Sequence, residues 1–208
     1  MTTIKEKIKE LADNYANTLH SQIQLRKEEM KHDDISHYLI YRVLGVSNYE
    51  GHLIDEYQNT GRFLYKYAGS FLEEAAILCF KSKDPKGKKT KIPNVIGLKP
   101  KTFEIDFLSN GDAIEIKWRD ATTDGDHITK EHTRVKAIIK SGYKPIRVMF
   151  YYPQRSQAQK IQETLETLYH GVGGEYYTGD EAWNFVLKYT GINLKKILEE
   201  IADERDSR

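Results

Sequence analysis

The chain of 208 residues has room for one domain with a small appended region, and its 32 basic and 31 acidic residues give a formal net charge of +1. Nearly balanced charge gives no support for nucleic-acid binding through bulk composition, so any such function must depend on a local site. The single cysteine, Cys79, excludes an internal disulfide framework. No apolar run reaches the roughly 18 residues of a membrane span, and the N-terminus lacks the apolar stretch of a signal peptide. We therefore expect a cytoplasmic protein.

The first part of the chain is predicted to be helical. Apolar residues at helical spacing predict an amphipathic helix over residues 3–30 and a strong helix with an apolar stripe over residues 62–80. Between them, Asp34 is a favourable N-cap for a second helix, and a third, short helix is predicted to follow Asn48.

Next comes a lysine-rich tract and then a region of alternating strands and helices. Lys81–Lys91 contains six lysines with a proline and a glycine, which predicts an unpacked segment, either a solvated loop or an arm that grips a nucleic-acid backbone. Gly171–Gly174 is interpreted as a helix end and turn. Strands are predicted over residues 92–96, 103–107, 113–118 and 146–152, and helices over residues 129–140, 156–169 and 180–202.

The strongest local signal is a β-hairpin. Asn110-Gly111 lies between two alternating runs and predicts a two-residue turn. With that turn, Asp106 faces Glu115 on the polar side of the hairpin, and Lys117 lies on the same side. The apolar side is predicted to carry three opposed pairs: Phe103 with Trp118, Ile105 with Ile116, and Phe107 with Ile114.

Two acids directly opposed across a hairpin repel each other unless a positive charge lies between them. Two carboxylates can hold a hard cation such as Mg²⁺, which accepts further oxygen ligands from water and phosphate. Lys117 could position a water molecule and stabilise charge that develops on a phosphate. The alternative is an ordinary solvent-facing hairpin.

Asp106, eight intervening residues and then Glu115-Ile116-Lys117 resemble the signature of the PD-(D/E)XK nuclease superfamily, although Ile105 rather than proline precedes the aspartate. The resemblance implies an α/β fold with a restriction-endonuclease-like α-β-β-β-α-β core, a mixed central sheet and additional N- and C-terminal helices. It also implies Mg²⁺ held by Asp106, Glu115 and the Ile116 carbonyl, with Lys117 beside the attacking water.

The predicted helix before the hairpin contains a second match. Gly69-Ser70-Phe71-Leu72-Glu73 is similar to a segment of mismatch-repair and restriction nucleases whose glutamate completes the metal site. The resemblance therefore adds Glu73 to the predicted catalytic and metal-binding residues, with its neighbour Glu74 as the alternative on helical geometry. An ordinary solvated glutamate is the other interpretation.

The segment after the hairpin resembles those that approach DNA in type II restriction enzymes, and the next helix adds basic side chains that suit phosphate contacts. The alternatives are a loop that leads into a helix and a solvated basic face. The predicted DNA-binding residues are Arg119, Thr122, Thr123, Asp124, His127, Lys130 and Arg134.

The sequence thus predicts a type II restriction endonuclease, a Mg²⁺-dependent enzyme that cuts double-stranded DNA at a short site, acting as a homodimer on a palindrome. Residues 1–208 are predicted to form one nuclease domain, with a helical region over 1–60, the catalytic core over 62–152 and closing helices over 153–208. A DNA repair or recombination nuclease of the same fold and a non-catalytic DNA-binding protein are the alternatives.

Overall fold

A computed structural model describes residues 2–97, 99–119 and 126–207. Its helices are α1 (Ile4–Met30), α2 (Tyr38–Val43), α3 (Asn48–Lys83), α4 (Asp126–Lys140), α5 (Ser156–Gly171), α6 (Asp180–Thr190) and α7 (Leu194–Asp206). Its strands are β1 (Lys88–Pro93), β2 (Thr102–Ser109), β3 (Asp112–Arg119), β4 (Lys144–Tyr151) and β5 (Glu175–Thr178). None of the described helices is long and apolar enough to cross a membrane.

The five strands form one mixed sheet in the order β1-β2-β3-β4-β5. β2 runs antiparallel to both β1 and β3, whereas β4 runs parallel to both β3 and β5. The crossover from β3 to β4 passes through α4, as a parallel pair requires. The α/β class and the α-β-β-β-α-β order with a mixed sheet are confirmed, and β5 adds a strand that the sequence pattern did not indicate.

The predicted turn between β2 and β3 is confirmed. Asn110 and Gly111 both have positive φ, 49° and 90°, as a turn that matches the twist of two antiparallel strands demands. Three residue pairs follow the turn, ending with Phe107 opposite Ile114. The predicted pairs beyond that point, Ile105 with Ile116 and Phe103 with Trp118, lie outside this ladder. There the strands are joined through a side chain, because the amide of Ile116 donates to Oδ2 of Asp106.

An irregularity in β2 begins at the same point. Lys88 pairs with Leu108 while Thr90 pairs with Ile105, so two steps along β1 correspond to three along β2. This is the geometry of a β-bulge, which bends a strand and redirects its side chains. A bulge also reverses the alternation of faces beyond it.

The predicted apolar side of the hairpin is therefore wrong in part. Ile105 packs with Phe103 and Ala113 in a cluster that includes residues of α4. Phe107 lies on the opposite face of the sheet, where its ring stacks on Phe80 of α3 at 5.4 Å between centroids. A sequence pattern of strict alternation does not account for the residue added by the bulge.

Helices cover both faces of this sheet, within a compact unit formed by Met1–Ile8 and Leu72–Arg208. On one face, α4 and α5 contribute Val135, Ile161 and Leu165 to a buried cluster. On the other face, Phe80 of α3 and Phe185 of α6 pack together. The strands β2 and β3 are thus held between two apolar layers.

A second compact unit comprises Lys9–Phe71 and is entirely helical between its turns. Within it, Tyr15 of α1 packs edge-on against Tyr67 and Phe71 of α3. Arg26 bonds to Asn59 at 3.1 Å, which adds a polar contact between the same helices. The single nuclease domain over 1–208 stays a prediction.

Several predicted element boundaries are wrong, among them the strand over residues 92–96, which the structure has at Lys88–Pro93. The helices predicted after Asn48 and over residues 62–80 are one continuous helix, α3. The closing helix over residues 180–202 is two helices, because Gly191 has a φ of 77° that ends α6. The lysine-rich tract is packed in part: it contains the last turn of α3 and most of β1. Gly171–Gly174 does form a helix end and turn, but β5 follows at once.

Candidate active site

Asp106 lies at the bulge and is buried, with 6% of its surface exposed. Its Oδ2 accepts a hydrogen bond from the amide of Ile116 at 2.8 Å. Burial, together with the nearby charge of Glu115, raises the pKa of Asp106 to about 7. An acid whose ionised form is disfavoured in this way gains most from a neighbouring cation.

Glu115 is the second predicted acid, and it is also buried. Its Oε1 is contacted by Lys117 Nζ at 2.5 Å and by Arg134 Nη1. Burial works against its charge, but Lys117 and Arg134 outweigh burial and lower the pKa of Glu115 from its ordinary value. Within the part of the chain that the structure describes, Oε2 of Glu115 has no hydrogen-bond partner. A buried carboxylate oxygen without a donor is suited to hold a cation.

Beneath Glu115 lies a buried polar network that sequence reasoning missed. Arg147 of β4 is adjacent to Glu115 in the parallel ladder and is completely buried. Its Nη1 lies 3.3 Å from Oε1 of Glu131 on α4, and the same oxygen accepts the hydroxyl of Tyr169 on α5 at 2.6 Å. Arg147 is a charged residue within an otherwise apolar run of β4, a signal of a buried partner that only the pairing with β3 places beside Glu115.

Glu73 of α3 points toward the same site. Its charge contributes to the raised pKa of Asp106, whereas its neighbour Glu74 is exposed. Its Oε1 is 3.0 Å from Nζ of Lys89, which also lies 3.1 Å from Glu104 Oε1 and 3.9 Å from Asp106 Oδ1. Lys89, which the sequence places in an unpacked tract, is therefore part of the site, because β1 brings it beside the acids.

The residues present fit a divalent cation through two carboxylates rather than three. Among residues 2–97, 99–119 and 126–207, no three acidic, histidine or cysteine side chains converge closely enough to hold an ion. Mg²⁺ usually takes only one or two protein carboxylates and keeps water and phosphate for the rest of its octahedron. Asp106 and the unpartnered Oε2 of Glu115 match that requirement, while Glu73 is engaged by Lys89.

The predicted DNA-binding residues are found in different surroundings. Arg119 is exposed at the end of β3, and Lys130 is exposed on α4, whereas His127 is half-buried in the first turn of that helix. Arg134 faces inward onto Glu115. Three of the predicted residues, Thr122, Thr123 and Asp124, lie outside the described residues.

An acid at a bulge, a glutamate and a lysine on the next strand, and a five-strand mixed sheet between helices define a restriction-endonuclease-like fold. The chain belongs to the ApaLI-like restriction endonuclease family, whose family model matches residues 1–203. This membership confirms the predicted type II restriction endonuclease of the PD-(D/E)XK superfamily. No curated protein and no solved structure matches the chain.

Proposed function

We propose that this restriction endonuclease is a Mg²⁺-dependent enzyme that hydrolyses both strands of DNA at a short specific site. The observation that carries the proposal is the buried pair of Asp106 and Glu115, in which Oε2 of Glu115 has no hydrogen-bond partner among the residues that the structure describes. Family membership favours this function over a repair nuclease or a non-catalytic DNA-binding protein of the same fold.

Asp106, Glu115 and the Ile116 carbonyl are the proposed metal ligands, and the two acids provide the charge. Glu73, the other predicted ligand, is held by Lys89, with which a cation would compete for it. When bound, a divalent cation supplies positive charge at the scissile phosphate and lowers the pKa of a water molecule. Lys117 keeps Glu115 ionised and places an ammonium where negative charge develops on the phosphate. The amide of Ile116 fixes the direction of the Asp106 carboxyl group.

DNA contacts are proposed for the basic and polar side chains around the end of β3 and the start of α4. Arg119 and Lys130 are exposed on the two sides of the undescribed stretch 120–125, and exposed cations at such positions suit phosphates. Residues 62–152 are proposed as the catalytic core. The proposed DNA-binding set is Arg119, Thr122, Thr123, Asp124, His127 and Lys130, whereas Arg134, which was predicted with them, faces inward onto Glu115.

Incubation of purified protein with plasmid DNA tests the proposal. In Mg²⁺ we expect discrete fragments whose sequenced ends share one short motif, and with Ca²⁺ alone we expect DNA binding with little cleavage. Random or structure-dependent nicking would favour a repair nuclease. DNA binding without cleavage in Mg²⁺, Mn²⁺ or Co²⁺ would favour a non-catalytic protein.

We further propose that the protein acts in the cytoplasm and that it is a homodimer. The dimer is expected because a palindromic DNA site has a two-fold axis that a symmetric dimer matches. The helical unit supports this proposal: Leu39, Ile40, Val43 and Leu44 are each more than half exposed around α2, and clustered apolar exposure is typical of interfaces. Light scattering of the wild type and of Val43→Asp checks it. The expected result is a dimer that the variant converts to a monomer, and a wild-type monomer with or without DNA would contradict it.

A further inference from the structure

Arg134 lies between Glu115 and the buried polar network, and we infer that it is a positioning residue for Glu115 rather than a clamp for a DNA phosphate. The inference rests on the proposed nuclease function, because the orientation of Glu115 matters only if this site cuts DNA. It departs from the expectation that Arg134 is one of the basic side chains of this helix that contact DNA phosphates.

The guanidinium of Arg134 is held on three sides. Nη1 contacts Oε1 of Glu115, Nε lies 3.8 Å from Oε2 of Glu131, and the ring centroid of Phe103 is 5.8 Å from Cζ. Only 22% of the side chain is exposed. A phosphate clamp needs donors that point outward, whereas Nη1 and Nε of this arginine face two buried carboxylates.

The network below fixes where Arg134 can lie. Glu131 is itself buried and is anchored from β4 by Arg147 and from α5 by Tyr169. Two acids, Glu115 and Glu131, are thus balanced by two arginines, which is how buried charges are tolerated. The position of Arg134 is therefore set by the protein core.

The position of Arg134 in turn determines the orientation of the Glu115 carboxylate. Lys117 and Arg134 both contact Oε1 of this carboxylate, and Oε2 stays without a hydrogen-bond partner among the described residues. Two cations on one oxygen fix the plane of the carboxylate and present the other oxygen to the site. Without Arg134, Oε1 of Glu115 would keep the contact with Lys117, and a single flexible ammonium does not define that plane.

Three variants test the inference: Arg134→Gln, Arg134→Lys and, as a matched control, Lys136→Gln, which removes an exposed charge from the same helix. For Arg134→Gln we expect kcat and Mn²⁺ affinity each to fall about 10–100-fold, as when other supports of a metal ligand are removed. KM and the salt dependence of metal-free DNA binding should not change. Arg134→Lys should recover part of kcat, and Lys136→Gln should behave as the wild type.

Cleavage kinetics give the split between kcat and KM, and calorimetric titration with Mn²⁺ gives metal affinity without DNA. A phosphate contact would instead weaken DNA binding and make its logarithmic salt slope shallower by about 1 at unchanged saturated rate. That result, or wild-type kcat and Mn²⁺ affinity in Arg134→Gln, would overturn the inference.

Circular dichroism controls for folding. If Arg134→Gln does not fold, the same comparison of kcat with KM in Arg134→Lys tests the inference, because lysine keeps the positive charge and lacks the planar guanidinium. A wild type that cuts no DNA with any divalent cation would defeat the proposed function, whereas a cutting wild type with unaffected variants would defeat only the role of Arg134.

Discussion

The amide of Ile116 donates to Oδ2 of Asp106 over 2.8 Å, so the acid on β2 is tied to the residue that follows Glu115 on β3. A side-chain oxygen thereby takes a backbone donor just where the ladder of these two strands ends at Phe107 and Ile114. The two acids are consequently fixed to each other through the backbone, and the bulge in β2 is part of the site's construction.

Two substitutions of Asp106 separate the effect of its charge from the effect of its hydrogen bond to Ile116. Asp106→Asn keeps an acceptor for the Ile116 amide, whereas Asp106→Ala leaves that buried amide without one, at a cost of about 1–3 kcal/mol. We expect both variants to lose cleavage by about 100-fold or more, but only the alanine variant to lose stability. The asparagine variant should equal or exceed the metal-free wild type, because it removes repulsion from Glu115.

Urea unfolding in the presence of a chelator measures these free energies, and a cleavage assay in Mg²⁺ measures the rates. Equal stability of the two variants would contradict the structural role of the bond. Rapid cutting by Asp106→Asn would contradict the assignment of the site.

Lys117 has two tasks in the site, since it contacts Glu115 at 2.5 Å and remains 32% exposed toward solvent. Lys117→Met keeps most of the apolar stem and removes the charge. We expect the cleavage rate to fall by about 100-fold or more, because developing phosphate charge loses its compensating cation, while DNA binding in Ca²⁺ persists. Single-turnover cleavage and a filter-binding assay check both, with the exposed Lys140→Met as control. A near-normal rate would remove Lys117 from the mechanism.

Lys89 is expected to compete with a divalent cation, because its ammonium lies among Glu73, Glu104 and Asp106. Lys89→Met should therefore tighten Mn²⁺ binding severalfold in a calorimetric titration. It should change metal-free stability by no more than about 1 kcal/mol, since the lysine is half exposed. Lys88→Met, one residue earlier and exposed, is the control. Weaker Mn²⁺ binding in Lys89→Met would show that Lys89 supports the metal site instead.

Local signals predicted the hairpin and its acids well. Asn110-Gly111 fixes the turn through backbone conformation alone, and the spacing from Asp106 to Lys117 follows within one hairpin. The bulge could not be read in the same way, because it depends on how β2 pairs with β1, a strand that the sequence places four residues later than the structure does.

Long-range contacts account for the other differences. Lys89 lies in a tract whose composition indicates a solvated loop. Part of this tract nevertheless forms the edge strand β1, because β2 offers hydrogen-bonding partners to its backbone. Arg134 and Glu131 have the sequence pattern of a charged helix face. Glu131 is nevertheless buried, because Arg147 and Tyr169 provide partners from other elements, and Arg134 is half-buried against Glu115. Burial of charge follows from tertiary pairing, which helical periodicity does not encode.

Gly87 lies in the lysine-rich tract and packs closely against the ring of Phe107. A Cβ at this position would lie 2.1–2.8 Å from three atoms of the Phe107 ring, and that ring is stacked on Phe80 and cannot easily move. Gly87→Ala should therefore destabilise the protein by about 1–3 kcal/mol, as overpacking does. It should also slow cleavage, because Phe107 directly follows Asp106 in the bulged strand.

Gly61→Ala is the matched control, since a Cβ there meets no heavy atom of the described residues within 4 Å and the position lies inside α3. Alanine should stabilise that helix by about 0.5–1 kcal/mol. Urea unfolding of both variants gives the two free energies, and initial rates at saturating DNA give the effect on catalysis. If Gly87→Ala unfolded and cut DNA as the wild type does, the close packing of Gly87 on Phe107 would have no part in placing Asp106.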